Sequence, residues 1–502
     1  MLLKLNKRSF AVKNQNFLSN IYQKLKFGEL TNSYMILYLS QFDMLVNNSD
    51  RLFGLAQRAM GRRLFFYMLG NTIGKHFTGG ENLEQVKMVC NKLSANNINM
   101  AVNYLAEFIE ERECDEFFDQ NCERYLKTCE LNDQDKEYEF FNAIKLSGMV
   151  RFAHLKRFNE NQERLEELFM DNDNLQQNDK GYYLERSDLI ESIQSVNSSL
   201  RKEDIDSFID LIKLNEESDR VYYVEWRLNC GFTNIHNKSV QDHPIYRTLS
   251  PFNQEEQEAL NSLLNRLFKI MDKAVETRTF ILVDAEQSYL QLAIYNIVEQ
   301  LMHIYNTDQS AFIFNTIQNY TVESTPLTDY EIKKAKFFNG NYHLMLKMVR
   351  GAYIDEEREI GKQKHKEICW ASKEETDHAY NNNVLSLLKA DVENKKICVA
   401  THNVNSFELA KNCIEQREID NTDNNIRQKT YFATLFGLND NLTYRSLGFG
   451  FKTVKYIPYG ENDITLPYLI RRGKECQDLI KNSDEELKSL KNEILGRLTF
   501  RR

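Results

Sequence analysis

The chain has 502 residues, 42% of them hydrophobic, and a formal net charge of -9. This length and apolar content exclude a disordered chain and leave room for more than one domain, and the acidic balance excludes a global basic field for nucleic acid. Nine cysteines with no C-x-x-C pair, and no histidine cluster at zinc spacing, exclude a disulfide framework and a zinc site and suit reduced, buried thiols.

Residues 1–27 carry Lys4, Lys7, Arg8, Lys13, Lys24 and Lys26, no acid, and Leu2, Leu3, Leu5 and Phe10 among the basic residues. That composition suits a mitochondrial targeting segment and also an ordinary basic first helix. Residues 28–139 are rich in helix formers, with Met88, Leu93, Ala101, Leu105, Phe108 and Ile109 at helical spacing, and predict a helical N-terminal region. Tyr34 to Leu45 is apolar-rich but interrupted by Gln41 and Asp43, and no run reaches the length of a membrane span.

From Phe140 the texture changes. Short apolar, β-branched runs alternate with amphipathic stretches: Phe140–Leu146, Phe280–Val283, Phe312–Asn315, Leu344–Val349, Ile397–Ala400, Tyr431–Leu435 and Phe451–Ile457. Such alternation predicts an α/β fold with a parallel sheet. Several runs end at polar groups (Lys145, Asp284, Gln318, Arg350, His402 and Tyr456), as the strands of a (βα)8 barrel do where its active site opens. The expectation is a distorted (βα)8 TIM-like barrel over residues 140–475, with seven strands placed and the eighth without a position. Residues 476–502 follow as a helical tail.

Between the first and second runs lies a long insert, 157–249. Its acidic centre, with Asp171, Asp173, Asp179, Gly181 and Asp188 between two helical stretches, is EF-hand-like. With Gly181 at the sixth loop position, the first falls on Gln176, the fifth on Lys180 and the twelfth on Ser187, where a calcium loop needs carboxylates at both ends. No metal is expected there. Gly448 and Gly450 are followed by Thr453 rather than a third glycine, which argues against a Rossmann-type nucleotide site.

The sharpest feature is Tyr456-Ile-Pro-Tyr459-Gly460 followed by Leu466-Pro-Tyr468-Leu-Ile-Arg471-Arg472-Gly-Lys-Glu475. A strand ends, a turn follows, and a helix begins near residues 461–463 with two adjacent arginines. Glu475 lies about one turn further on and can pair with one of them. Two guanidinium forks suit a carboxylate. An isolated arginine pair with a helical glutamate partner reads better as surface.

This stretch resembles the C-terminal motif of the proline dehydrogenase family, eukaryotic mitochondrial type. Ala143-Ile-Lys145-Leu-Ser147, Val283-Asp284-Ala-Glu-Gln287, Phe314-Asn-Thr-Ile-Gln318, Lys347-Met-Val-Arg350-Gly351-Ala352-Tyr353 and Ala400-Thr401-His402-Asn403 resemble its strands in the family's order, as Leu495-Gly-Arg-Leu-Thr-Phe resembles its tail. The resemblance implies FAD-dependent oxidation of L-proline to Δ1-pyrroline-5-carboxylate, with electrons passed to a membrane quinone by an enzyme in peripheral contact with the inner mitochondrial membrane from the matrix side. It implies that Arg471, Arg472 and Lys145 hold the substrate carboxylate, that Glu475 orients an arginine, and that Asp284 organises Lys145. Tyr353, Leu435, Tyr456 and Tyr468 would wall the proline ring. Lys347 would stand where bacterial members place an arginine near the flavin, and Gln318 would meet the flavin ring. Asp284, Ala285, Val349, Arg350, Gly351, Ala352, Lys373, Thr376, Thr401, His402 and Asn403 would line the rest of the cofactor site. Singly, most of these residues read as capping or packing.

Two rivals remain at this level. A hydroxyproline dehydrogenase of the same family would have Ser in place of Tyr456, which leaves more room for a ring hydroxyl. A Schiff-base aldolase on the same barrel would use Lys145 or Lys347 as nucleophile.

Overall fold

The computed structural model describes residue 22 and residues 25–105, 113–133, 137–214, 219–235, 237–307, 310–461, 464–473 and 485–499. Most of the 1–27 segment and Glu475 therefore lie outside the described residues. Eight parallel strands close into a barrel: β1 (Asn99–Tyr104), β2 (Phe140–Ile144), β3 (Phe280–Val283), β4 (Ile313–Gln318), β5 (Leu344–Val349), β6 (Lys395–Ala400), β7 (Thr430–Leu435) and β8 (Lys452–Tyr459). They run around the barrel in chain order. The sheet closes because β1 pairs with both β2 (Ala101 opposite Phe141) and β8 (Ala101 opposite Tyr456).

The missing eighth strand is β1, inside the stretch expected to be helical. Ala101 belongs to this strand and Leu105 follows it directly, while Met88 and Leu93 lie on the preceding helix, Leu83–Ser94. Phe108 and Ile109 lie outside the described residues. The helical reading ran a real helix into a strand that is buried on both faces and so shows no alternation. In consequence the insert follows the second barrel strand rather than the first.

Successive side chains on a strand point to opposite faces, so every second residue enters the barrel. Phe141, Phe280, Phe314 and Tyr431 enter at one level and fill the interior, with ring centroids 5.1–5.3 Å apart for the Phe141–Phe280 and Phe141–Tyr431 pairs. Continuing along the same parity toward the strand ends gives Lys145 from β2, Asp284 from β3, Gln318 from β4 and Leu435 from β7. The aromatic layer seals the lower barrel, and polar groups converge at the C-terminal mouth, as this architecture requires.

Within the insert, the helices Phe152–Met170 and Arg186–Val196, and then Lys202–Ile212 and Tyr223–Cys230, form two helix–loop–helix units. Their loops are joined by short antiparallel strands, with Leu184 opposite Val221. The first loop folds back as a hairpin, Asn178 opposite Gly181. In the second, buried Glu225 accepts hydrogen bonds from the Leu214 and Tyr222 backbone N–H groups, both at 2.8 Å. Backbone donors thus occupy the carboxylate that a calcium loop would turn on its ion. Among the described residues no group of three or more His, Cys, Asp or Glu is placed to hold a metal.

Candidate active site

Asp284 is the hub of the mouth. One carboxylate oxygen accepts from Lys347 Nζ at 2.5 Å, and the other from Tyr456 OH at 2.5 Å and Asn103 Nδ2 at 3.0 Å. Asn103 also contacts the Tyr456 hydroxyl directly. The four residues come from β1, β5, β8 and the end of β3, so the network exists only once the barrel is closed. Burial, reinforced by the Asp284 charge, raises the Tyr456 pKa well above its ordinary value. The phenol therefore stays protonated and donates. The Lys347 ammonium lies 5.7 Å from the Tyr456 ring centroid, a cation–π contact that sets ring and cation side by side.

Lys145, expected to be organised by Asp284, instead donates to Tyr353 OH at 3.1 Å; the cation that Asp284 holds is Lys347. Gln318 is fixed by its donation to the Glu286 carbonyl at 2.7 Å, while the Glu286 side chain accepts from Ser147 N at 3.0 Å and so ties the ends of β2, β3 and β4 together. Gly351 has φ +131°, and a Cβ there would fall 1.6 Å from the Tyr320 ring. Its small size thus serves the packing of Tyr320 as well as any approach of a ligand to the neighbouring Val349 and Ala352 backbone.

Arg350 acts as a brace. Its guanidinium donates to Asp377 (2.6 Å), Thr401 Oγ1 (3.0 Å) and Ser406 Oγ (2.9 Å) and stacks 4.3 Å from the Tyr380 ring centroid. Lys373 shares Asp377 at 2.6 Å. Thr376 bonds back to the Ser372 carbonyl, and Asn403 caps the helix Val404–Ile419 through Asn405 N and Ser406 N. The N-terminus of that helix thus lies at the mouth beside two cations, a setting that attracts phosphate. Ala285 is half-buried beside Asp284.

His402 Nε2 accepts from Leu435 N at 3.4 Å, which leaves the proton on Nδ1. Nδ1 is buried with no hydrogen-bond partner among the described residues. Burial pushes the imidazole pKa down to about 3, helped by Lys455, Arg472 and Arg350, so the ring is neutral. A buried N–H without an acceptor, among cations, fits an anionic ligand.

Residues 464–473 form a helix that carries both arginines. Tyr468 and Leu469 pack in one apolar cluster with Leu105, Leu435 and Leu438, which sets this helix on the mouth next to β1 and β7. Arg472 is buried, its guanidinium 4.8 Å from the Tyr468 ring centroid, and Arg471 is half-buried. Two contributors escaped sequence reasoning. Asn103 sits on the strand that was not placed. Lys455 is buried, pairs with Asp440 at 2.7 Å, and donates to the Leu435 and Leu438 carbonyls at 3.1 and 2.9 Å, clamping the turn after β7. The polar break Lys455 makes within β8 was its signal.

The mouth thus sets Lys347 on one carboxylate hub, with Lys145 at the end of β2 and with Arg471 and Arg472 on the helix packed against Leu105 and Leu435, a set of cations suited to a small acid and an anionic cofactor. The family model described as proline dehydrogenase matches residues 86–483. A mitochondrial proline dehydrogenase 1 of Dictyostelium discoideum is 26% identical, covering 96% of this chain and 74% of its own. A hydroxyproline dehydrogenase of Xenopus laevis is 22% identical over 94% of this chain and 87% of its own. A crystal structure of proline utilization A from Bdellovibrio bacteriovorus, inactivated by N-propargylglycine, superposes with a TM-score of 0.53 at 15% identity; it covers 94% of this chain, which spans 38% of that protein.

Proposed function

The chain belongs to the proline dehydrogenase family, and on that premise we propose that it oxidises L-proline to Δ1-pyrroline-5-carboxylate in the mitochondrial matrix. The observation that carries the reading is the hub Asp284–Lys347–Tyr456 in a mouth on which a helix with paired arginines packs through Tyr468 and Leu469. Arg471, Arg472 and Lys145 bind the carboxylate, and Glu475 orients one fork. Tyr353, Leu435, Tyr456 and Tyr468 enclose the ring and exclude water, which favours the neutral amine. The substrate loses a hydride from C5 and a proton from nitrogen, and no protein nucleophile is required.

The cationic mouth, the N-terminus of helix Val404–Ile419 and the His402 Nδ1 proton fit FAD. FAD bound there would supply the hydride acceptor, with a membrane quinone as the final acceptor of the electron pair. Lys347 offers a cation to the ring region beside Gln318; Lys373, Thr376, Thr401, His402 and Asn403 offer donors to the ribityl and diphosphate. Catalysis is mainly alignment, worth up to about 7–11 kcal/mol at its best.

Family membership decides against the Schiff-base aldolase. Against hydroxyproline stands Tyr456, whose hydroxyl is tied to Asp284 and Asn103 and so is not free to swing from a larger ring. The test is a visible spectrum of the purified protein, without oxygen, before and after L-proline. Flavin absorbance that bleaches with proline, and less readily with hydroxyproline, is expected. A folded protein that stays colourless and inert with added FAD and proline sinks the reading.

A further inference from the structure

The N-terminal helices have two apolar faces. Their inner faces share the cluster that holds Leu435 and Tyr468 of the mouth, through Leu30, Ile36, Leu37, Phe65 and Leu69. Their outer faces lie in solvent. Among the described residues, 12 of the 22 exposed large apolar side chains lie between Phe27 and Met68. They follow helical spacing: Tyr38 and Leu39 after Met35, Leu55 after Leu52, and Tyr67 and Met68 after Leu64. Met44 and Tyr67 are 74% and 69% exposed, too open for folding alone to account for them. A monomer rarely leaves so dense a patch in water without a partner.

Charge indicates which partner. Residues 51–75 carry Arg51, Arg58, Arg62, Arg63 and Lys75 and no acid, in a chain of net charge -9. All five cations are exposed. Arginines flanking exposed leucine, methionine and tyrosine are the pattern of a helix lying in a membrane interface, where the cations reach phosphate headgroups and the apolar face enters the acyl boundary. No described helix is long and apolar enough to cross a membrane, so contact here is from one side.

We propose that the helices within residues 27–69 are a docking face for an anionic lipid bilayer, seated directly over the barrel mouth. The proposal rests on the functional reading for its purpose, delivery of electrons to a lipid-dissolved acceptor, but not for its geometry. The shared cluster makes the face continuous with Leu435 and Tyr468, so a docked molecule holds its reaction mouth next to the lipid.

The test is flotation of the full chain with vesicles of phosphatidylcholine plus phosphatidylglycerol and with vesicles of phosphatidylcholine alone. Wild type should float with the anionic vesicles and weakly with the neutral ones. L55E/L64E/Y67E and, separately, R58E/R62E/R63E should each weaken binding by about tenfold or more. Both variants should keep wild-type proline turnover with a water-soluble dye as acceptor. Absence of wild-type flotation, or flotation of the variants equal to wild type, overturns the proposal. So does a wild-type dimer that does not float and that L55E/L64E/Y67E splits, because the face then belongs to a second copy. Flotation with no proline turnover would leave docking intact and reject the function instead.

Discussion

At the scale of single residues, Asp284 collects one cation and two neutral donors, and the weakest-looking donor is the most telling. Asn103 contributes no charge, yet its amide links Asp284 to Tyr456 across the seam where the barrel closes. Asn103→Ala leaves a buried carboxylate short of one donor, a loss of about 1–3 kcal/mol in stability. By freeing the Tyr456 ring it should also lower kcat/KM for proline by about tenfold, and Asn103→Leu, which keeps the volume but supplies no donor, should lose as much of both, which splits loss of the donor from loss of volume. Urea unfolding and steady-state kinetics on both variants check the split; equal kinetics for wild type and Asn103→Ala would remove Asn103 from the site. His402 makes a prediction about acid. The folded imidazole titrates at about 3, against 6.5 for an ordinary one. Between those values the unfolded chain binds more protons, so the contribution of His402 is intact above pH 6.5 and is lost as pH falls toward 3. His402→Gln should therefore flatten the fall in stability with acidification over that window, read as a smaller change in urea midpoint between pH 7 and pH 5 than in wild type.

At the scale of elements, the C-terminal helix Glu485–Leu498 packs on the N-terminal helix Phe27–Leu39, and Arg497 ties it to the Tyr22 and Leu25 carbonyls at 2.7 and 2.8 Å. Glu486 begins this helix beside Asp440, Lys455, Tyr22 and Asn441, accepting from Asp440 N at 3.1 Å. Burial and the Asp440 charge push its carboxyl up to about 7 from 4.5, outweighing the pull of Lys455. The folded chain then binds more protons than the unfolded one in that window, so stability falls as pH rises through it. Glu486→Gln should melt higher than wild type at pH 8, with the gap closing toward pH 4.5; a gap independent of pH would show that the carboxyl does not titrate there. Elements also show what the sequence could and could not disclose. Seven strands carry β-branched or aromatic runs that end in chemistry, and these were legible. In β1, Asn-Met-Ala-Val-Asn-Tyr, only Val102 is β-branched, and both faces are buried, so neither propensity nor alternation marks it. The two helix–loop–helix units of the insert were half legible. The acidic first loop suggested one of them; the second unit went unread, and their joining at Leu184 and Val221 comes from pairing two loops some forty residues apart, which no local pattern encodes. The arginine pair was legible as a motif, whereas the pairing of Asp284 with Lys347 in place of Lys145 depends on where the barrel puts each ammonium.

At the scale of the molecule, the insert must be held to a barrel that could close without it. The join is a buried ion network. Arg227, on the insert helix Tyr223–Cys230, pairs with Glu299 at 3.1 Å and Glu166 at 3.4 Å. Glu299, on the barrel helix Ser288–Tyr305, also pairs with Lys334 at 3.1 Å, and Lys334 with Glu331 at 2.8 Å. The Tyr223 and Tyr330 hydroxyls close the network on Glu166 and Glu299. Removing one partner of such a network strands the others in low dielectric and costs about 3–5 kcal/mol. Arg227→Met should therefore loosen the insert first. The chain has two tryptophans, and Trp226 is the neighbour of Arg227, buried and donating to the Leu165 carbonyl at 2.8 Å. In a Trp370→Phe background, Trp226 emission alone reports the insert, while far-ultraviolet circular dichroism reports the whole chain. With Arg227 present the two urea transitions should coincide; with Met there, the fluorescence transition should move to lower urea ahead of the other. If both move together by the same amount, apolar packing such as Tyr222 against Phe337 of the barrel helix Ser324–Phe337 joins the insert to the barrel, and the ions serve only to neutralise one another.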